Sequence, residues 1–151
     1  MFDDEARQFS ALSERQCREL LQSSDLARVA WQSADGPQIL PITYVCHGDS
    51  IVFRTSPYGP LSDLIRPTDV ALEVDDLDQQ RRSGWSVVVQ GRATVIDQPP
   101  EIVRLWALSG LVPWAPGVRN VFIQVAPRRI SGRLLSHDPS SSEAIERIEH
   151  R

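Results

Sequence analysis

The feature that most constrains this chain is a series of three short segments in which apolar residues alternate with polar ones. The segments are Leu26–Gln32, Gln38–Cys46 and Ser50–Thr55, and their two-residue period is that of half-buried β-strands. Asp35-Gly36, between the first two segments, is a strong hairpin signal. Pro41 cannot donate a backbone hydrogen bond, so the second strand needs a sheet edge or a bulge. Three strands joined by short turns predict an antiparallel sheet.

The rest of the chain adds further strand patterns and a few short helices. Residues 1–11 are predicted to be a polar lead-in. Ser13 and Gln16 form a capping-box signature at the start of a helix, and Cys17 on its apolar face is expected to be a small core residue. The remaining predicted elements are a short helix Leu61–Ile65, a strand Val70–Val74, a polar loop Asp75–Ser83, a strand Trp85–Ile96 bent at Gly91, a helix Pro99–Leu108, and Val121–Val125 and Ile130–Leu135 as one strand or a strand pair. Six or so strands predict an all-β barrel or sandwich.

The composition is that of one globular domain. The chain has 151 residues, of which 41% are hydrophobic and 24% charged, close to globular averages. We assign residues 1–136 to the domain and the Ser-rich residues 137–151 to a flexible tail. No apolar run approaches the ~18 residues of a spanning helix, and the start is acidic, so we expect a cytoplasmic protein with no membrane partner. The net charge of −4 argues against nucleic-acid binding.

The sequence shows no common catalytic motif and no metal-binding pattern. It has no Gly-x-Ser-x-Gly elbow, no Walker loop and no dinucleotide fingerprint. Cys17 and Cys46 do not have the spacing of metal ligands. Four acidic residues lie close together where a strand runs into a loop: Glu73, Asp75, Asp76 and Asp78. We interpret them as a solvated charge cluster rather than as a catalytic pair. We therefore predict neither catalytic side chains nor a metal site.

A ligand-binding pattern remains in three places. The first is Pro41-Ile42-Thr43-Tyr44, a strand with an unusual proline. Arg54, Thr55 and Ser56 end a strand beside a Pro/Gly loop. With the helix start near Gly59 they offer the charge and the donors that a phosphate needs. Gly84-Trp85-Ser86 opens a buried strand with a large flat ring and a hydroxyl. These patterns indicate binding rather than side-chain catalysis.

Taken in order, these segments resemble the pyridoxamine 5′-phosphate oxidase-like family, the FMN-binding split β-barrels. The resemblance spans roughly Leu12 to Arg133. It is carried by Ala27-Arg28-Val29-Ala30, Asp35-Gly36-Pro37, Leu40-Pro41-Ile42-Thr43-Tyr44, Ile51-Val52-Phe53-Arg54-Thr55, Ala71-Leu72-Glu73-Val74-Asp75 and Gly84-Trp85-Ser86-Val87-Val88-Val89-Gln90-Gly91-Arg92-Ala93. The later Pro113-Trp114-Ala115-Pro116-Gly117 resembles the actinobacterial branch. The resemblance implies a mainly β fold, an antiparallel Greek-key split barrel with a few short helices.

The same resemblance implies a homodimer with two FMN sites, each lined by both subunits, and a flavin-dependent oxidoreductase activity. The isoalloxazine ring is expected along the Pro-x-x-Tyr strand, and the phosphate at the Arg-Thr strand end. The expected cofactor-binding residues are Pro41, Ile42, Thr43, Tyr44, Arg54, Thr55, Ser56, Leu61, Trp85 and Ser86. Trp114 and Arg119 are the candidates for reaching across from the second subunit.

One position departs from the family pattern. Where the family has a Ser/Thr-Lys pair before a Leu, this chain has Gly59-Pro60-Leu61. A charge-assisted phosphate contact of about 1.5–3 kcal/mol is therefore missing, and Pro60 has no N–H to donate. Four alternatives stay open: weaker FMN binding, a deazaflavin coenzyme, a non-catalytic binder of haem or another flat ligand, and a vestigial site. His47 is the candidate haem ligand, and no motif indicates the small-molecule substrate.

Overall fold

A computed structural model describes residues 8–107 and 121–136 of the chain, and most of these residues form one antiparallel sheet. The strands in this part of the chain are β1 (Gln8–Leu12), β2 (Leu26–Ser33), β3 (Gly36–Thr43), β4 (Val45–His47), β5 (Ser50–Thr55), β6 (Thr68–Asp78), β7 (Ser83–Val95) and β8 (Val121–Ser136). The helices are α1 (Glu14–Gln22), α2 (Pro99–Trp106) and a 3-10 helix over Ser62–Ile65. The mainly β fold predicted from the sequence is confirmed.

The strand order follows a Greek-key pattern. Along the sheet the order is β3-β2-β6-β7-β8-β5-β4, and β1 pairs with β8 outside this path. Strand β5 therefore lies beside β8 rather than beside β6, its successor in the chain, which is the Greek-key arrangement. The sheet curls so that β3 and β5 come into contact, although no ladder joins these two fully described strands. We call this unpaired junction of β3 and β5 the seam.

The alternation of side chains gives the sheet an inner and an outer face. The inner face carries the main core, with buried positions that include Val29, Trp31, Phe53, Leu72, Val74, Val87 and Val89. The outer face carries the intervening residues, among them Arg28, Glu73, Asp75 and Ser86, which are half-buried or exposed. Paired residues in an antiparallel ladder point to the same face, so the register alone determines which outer-face residues are neighbours.

Helix α1 closes one end of the core. The Ser13 hydroxyl accepts from the Gln16 N–H at 3.2 Å and the Gln16 side chain accepts from the Ser13 N–H at 2.9 Å, so the predicted capping box is confirmed. Cys17, Leu20 and Leu21 are buried against the sheet. The prediction that Cys17 is a core residue is therefore also confirmed.

Strand β3 is the edge strand that Pro41 requires. β3 pairs only with β2 within the described sheet, and Pro41 lies opposite Arg28. The Tyr44 N–H donates to the Asp25 carbonyl at 2.9 Å. Hydrogen-bonded pairs alternate along an antiparallel ladder. The N–H and C=O groups of Ile42 therefore also point toward β2, whereas the backbone nitrogen and C=O of Pro41 point away from it. The missing N–H of Pro41 thus removes no ladder bond.

Four predicted segments differ in the structure. The predicted strand Gln38–Cys46 is divided at Tyr44 into β3 and β4. Gln8–Leu12, predicted to be part of a lead-in, forms β1 and pairs with the end of β8, a partner too distant in the chain for local pattern to show. The predicted loop Asp75–Ser83 is mostly strand, because β6 continues to Asp78 and β7 starts at Ser83. Asp75 faces outward in this strand, and Asp76 and Asp78 are exposed near its end. Val121–Ser136 is one strand rather than two.

The predicted bend at Gly91 is a β-bulge. The register between β7 and β8 shifts between Gln90 and Gly91, where Gln90 faces Arg129 and Gly91 faces Pro127. One extra residue in β8 is thereby accommodated, which increases the local twist. A Cβ atom at Gly91 would overlap the Ala126 carbonyl oxygen, so the backbones approach here as only glycine allows.

Gly84 of the Gly-Trp-Ser segment gives a test of the β6–β7 hairpin. Its φ is +146°, and a Cβ atom there would overlap the backbone of Asp76. We expect Gly84→Ala to lower the free energy of unfolding by on the order of 3 kcal/mol, because backbone strain and steric overlap combine. Urea unfolding measures this change.

Gly48→Ala is the matched control for that substitution. Gly48 also has a positive φ of +59°, but nothing lies within 4 Å of the added Cβ. A loss of about 1 kcal/mol is therefore expected from the left-handed backbone alone. Equal losses in the two variants would contradict the close approach at Gly84.

Candidate functional site

The seam brings two groups of predicted site residues together. β4 continues the path of β3 and pairs with β5, with Val45 opposite Val52. No ladder continues from β4 into β3, but β3 and β5 are in contact, and the register of β4 extended by two residues would bring Thr43 opposite Arg54. The strand that resembles the family's ring-binding segment therefore lies beside the strand end that resembles its phosphate-binding segment.

Arg54 lies on the face of β5 away from the main core. Its neighbour Thr55 faces inward and is buried, whereas Arg54 is half-buried beneath α2. The guanidinium carbon is 4.1 Å from the centre of the Trp106 ring and 5.7 Å from that of Phe122. Burial lowers the pKa of Arg54 from its ordinary value, but that value is so high that the group stays cationic. The seam thus carries a positive charge held against two aromatic rings.

Three other predicted site residues have buried side chains. Ile42, Tyr44 and Leu61 belong to the main core. The Tyr44 hydroxyl donates to the Leu21 carbonyl at 2.7 Å, and burial raises the pKa of this phenol. These side chains stabilise the fold, so any contact that they make with a ligand has to come from their backbone.

The structure separates Trp85 from Ser86 and both from the seam. Trp85 packs against the main core, whereas Ser86 is on the outer face between Asp75 and Arg133. Ser86 lies three strands from β3, a lateral distance of roughly 14 Å at about 4.8 Å per strand. Within one protomer the outer face does not bring Ser86 next to Arg54.

The predicted helix start near Gly59 is different in the structure. The 3-10 helix begins at Ser62 and is four residues long, with Leu61 at its N-cap and no side-chain cap. A bond from the Ser62 N–H to the Gly59 carbonyl, 3.0 Å, supports the turn. The Ser56 hydroxyl accepts from the Tyr58 N–H at 3.2 Å. The short helix predicted at Leu61–Ile65 is therefore present as a 3-10 helix, and it starts at Ser62 rather than near Gly59.

A partly buried ion cluster on the outer face was missed by the sequence analysis. Arg28 Nη1 is 3.2 Å from Glu73 Oε2 and 3.4 Å from Asp75 Oδ2. Burial and the neighbouring Asp75 raise the pKa of Glu73 to about 7, against the opposing effect of Arg28. The alternation around Val70–Val74 already placed Glu73 and Asp75 on one face, but the pairing with Arg28 depends on the β2–β6 register.

The remaining sequence candidates add little to the seam. His47 Nε2 lies 3.5 Å from Glu101 Oε1, so a haem bound through this nitrogen would have to displace that carboxylate. Trp114, Arg119 and the tail 137–151 lie outside the described residues. In the parts of the chain that are described, no group of three or more His, Cys, Asp or Glu could hold a metal ion. The helices described there include none with the length and apolarity needed to span a bilayer.

The ion cluster leads to a prediction about pH. The pKa of Glu73 rises on folding from its ordinary value of 4.5 to about 7, so the folded state holds a proton that the unfolded state releases. The free energy of unfolding should therefore fall as pH increases from about 4.5 to about 7 and level off above it. We expect Glu73→Gln to flatten this part of the pH profile, measured by urea unfolding.

Glu19→Gln is the control for the pH profile. Glu19 forms a surface ion pair with Arg15 on α1, so this variant also loses one paired carboxylate. A profile for Glu73→Gln that matches that of Glu19→Gln would contradict the role assigned to Glu73.

Comparisons with known proteins agree with this geometry. The model of the pyridoxamine 5′-phosphate oxidase family matches residues 13–134. An uncharacterised Mycobacterium tuberculosis protein, Rv0080, is 33% identical over 132 residues, which is 84% of this chain and 86% of that protein.

Two solved structures extend the comparison to the fold. A candidate pyridoxamine 5′-phosphate oxidase from Corynebacterium glutamicum has a TM-score of 0.73 and 28% identity, over 85% of this chain and 99% of the other. The FAD-binding protein from Mycobacterium smegmatis has a TM-score of 0.70 and 28% identity, over 84% and 99%. The predicted split barrel and its actinobacterial type are confirmed. The chain belongs to the pyridoxamine 5′-phosphate oxidase family.

Proposed function

We propose that this protein is a flavin-nucleotide-binding split barrel that acts as a flavin-dependent oxidoreductase, with FMN as its cofactor. The observation that carries the proposal is the position of Arg54: its strand β5 is in contact with the edge strand β3, and its cation is held against the Trp106 and Phe122 rings. Membership of the family and similarity to an FAD-binding protein support a flavin as the ligand.

The residues at the seam fit a phosphate-bearing ring in charge and shape. A guanidinium presents its N–H donors in one plane and binds phosphate oxygens well. Strand β3 offers the surface for the ring. The backbone of Pro41 points away from β2 and has no N–H, so a ring placed there would desolvate no donor at this residue. With no lysine in the chain, Arg54 carries the charge recognition.

In this arrangement the cofactor supplies the redox chemistry and the protein binds and orients the cofactor. A bound flavin supplies hydride-transfer chemistry that no side chain of the protein provides. The protein's own residues hold the phosphate at Arg54, align the ring along Pro41–Thr43, and exclude water from the inner side through the buried Ile42 and Tyr44. No described side chain needs to act as an acid or a base.

A homodimer with shared sites belongs to the same proposal. Ser86 lies on the outer face, three strands and roughly 14 Å laterally from β3 of the same protomer. A second subunit that packs on this face can bring its own Ser86 to the seam. A stoichiometry of two flavins per dimer, from sedimentation with absorbance at the flavin wavelength, is the expected result.

Arg54→Ala tests the phosphate contact. We expect the Kd for FMN to rise about 10- to 100-fold, since hydrogen bonds to charged groups contribute about 1.5–3 kcal/mol. Riboflavin, which lacks the phosphate, should bind the variant and the native protein equally. Quenching of flavin fluorescence measures both affinities.

Arg92→Ala is the matched control, because Arg92 forms an ion pair with Asp69 on the outer face away from the seam.

The same titration with FAD distinguishes the ligand of the M. smegmatis relative from FMN: tighter FAD binding would replace FMN in the proposal. No binding of FMN or FAD at hundreds of micromolar would reject it in favour of the deazaflavin or haem alternatives.

A further inference from the structure

The last residue of α2 lies against the cation of the proposed phosphate site. We propose that Trp106 is a positioning residue that holds the Arg54 guanidinium in place and thereby sets the affinity for the phosphate of the ligand. This inference rests on the proposed function, since it concerns the same site. Trp106 would not touch the phosphate itself and would act through Arg54.

The three side chains form a compact stack. The guanidinium carbon of Arg54 is 4.1 Å from the centre of the Trp106 ring. The Trp106 and Phe122 rings meet edge to face, with centres 5.3 Å apart and planes at 90°, and Phe122 lies opposite Arg54 in the ladder between β8 and β5. Phe122 therefore fixes the ring on which the guanidinium rests.

Stacking positions the guanidinium without using its hydrogen-bond donors. The N–H groups of arginine lie in the plane of the group, whereas a cation–π contact uses the face. A guanidinium held by its face loses less conformational freedom when it binds an anion. The benefit should be large in this chain, because Pro60 replaces the family lysine and leaves one cation fewer.

Helix α2 is anchored well enough to hold Trp106 in place. Leu105 is fully buried with Val52, Ile96 and Phe122 in a second hydrophobic cluster, and Glu101 lies 3.5 Å from His47 of β4. Trp106 itself is 52% exposed. Trp106 is not a member of the buried cluster, and its ring contacts are those with Arg54 and Phe122.

The test compares Trp106→Ala, Trp106→Phe and Val103→Ala. Val103 is on the same helix and is 70% exposed, so its variant controls for a change on the surface of α2. We expect Trp106→Ala to weaken FMN binding about tenfold and to leave riboflavin binding unchanged. Trp106→Phe should restore most of the affinity, and Val103→Ala should match the native protein.

A double-mutant cycle separates positioning from a general structural effect. In the Arg54→Ala background, Trp106→Ala should no longer change the Kd for FMN, because its effect passes through Arg54. Equal weakening of FMN and riboflavin, or a full effect of Trp106→Ala without Arg54, would overturn the inference.

The failure of the inference can be told apart from the failure of the proposed function. If the native protein binds FMN and Trp106→Ala binds it as tightly, the inference alone is wrong. If the native protein binds no flavin nucleotide, both are rejected.

Discussion

The structure depends on the register of the long hairpin formed by β6 and β7 and continued by β8. The pairs Leu72–Val89 and Val74–Val87 keep the apolar side chains on the inner face. A slip of one residue would turn them to the solvent and bury Glu73 and its neighbours. Gly84 permits the tight approach at the end of this hairpin, and the bulge at Gly91 absorbs the extra residue in β8. The neighbours of every outer-face residue follow from this register.

The candidate site lies where the pairing of strands stops. A fully closed barrel would have no free edge. Here the strand is interrupted at Tyr44, whose N–H donates to the Asp25 carbonyl and whose hydroxyl donates to the Leu21 carbonyl. Among residues 8–107 and 121–136, the seam that results offers an edge strand and the cation of Arg54 rather than a set of catalytic side chains. A site of this kind recognises a ligand by shape and charge, which agrees with a family whose chemistry comes from a bound cofactor.

Partial burial removes water from two ionisable groups, Arg54 and Glu73, with different consequences for their charge at neutral pH. Arg54 is desolvated beneath α2 and rests on aromatic rings, so it remains a cation. Glu73 is desolvated beside a second carboxylate, and the single Arg28 does not fully offset the loss of water, so its pKa rises to about 7. The same physical effect thus leaves the guanidinium charged at neutral pH and the carboxylate close to its titration point.

The sequence by itself determined the features that depend on local periodicity and backbone chemistry. These are the strands and turns between Leu26 and Thr55 apart from the division at Tyr44, the capping box at Ser13, and the need of Pro41 for an edge. Tertiary structure decided which distant residues meet: β1 with β8, Arg28 with Glu73, and Trp106 with Arg54. It also decided that Trp85 faces the core while Ser86 faces outward. Such contacts depend on strand register and on the curl of the sheet, and neither of these leaves a signal in a short stretch of sequence.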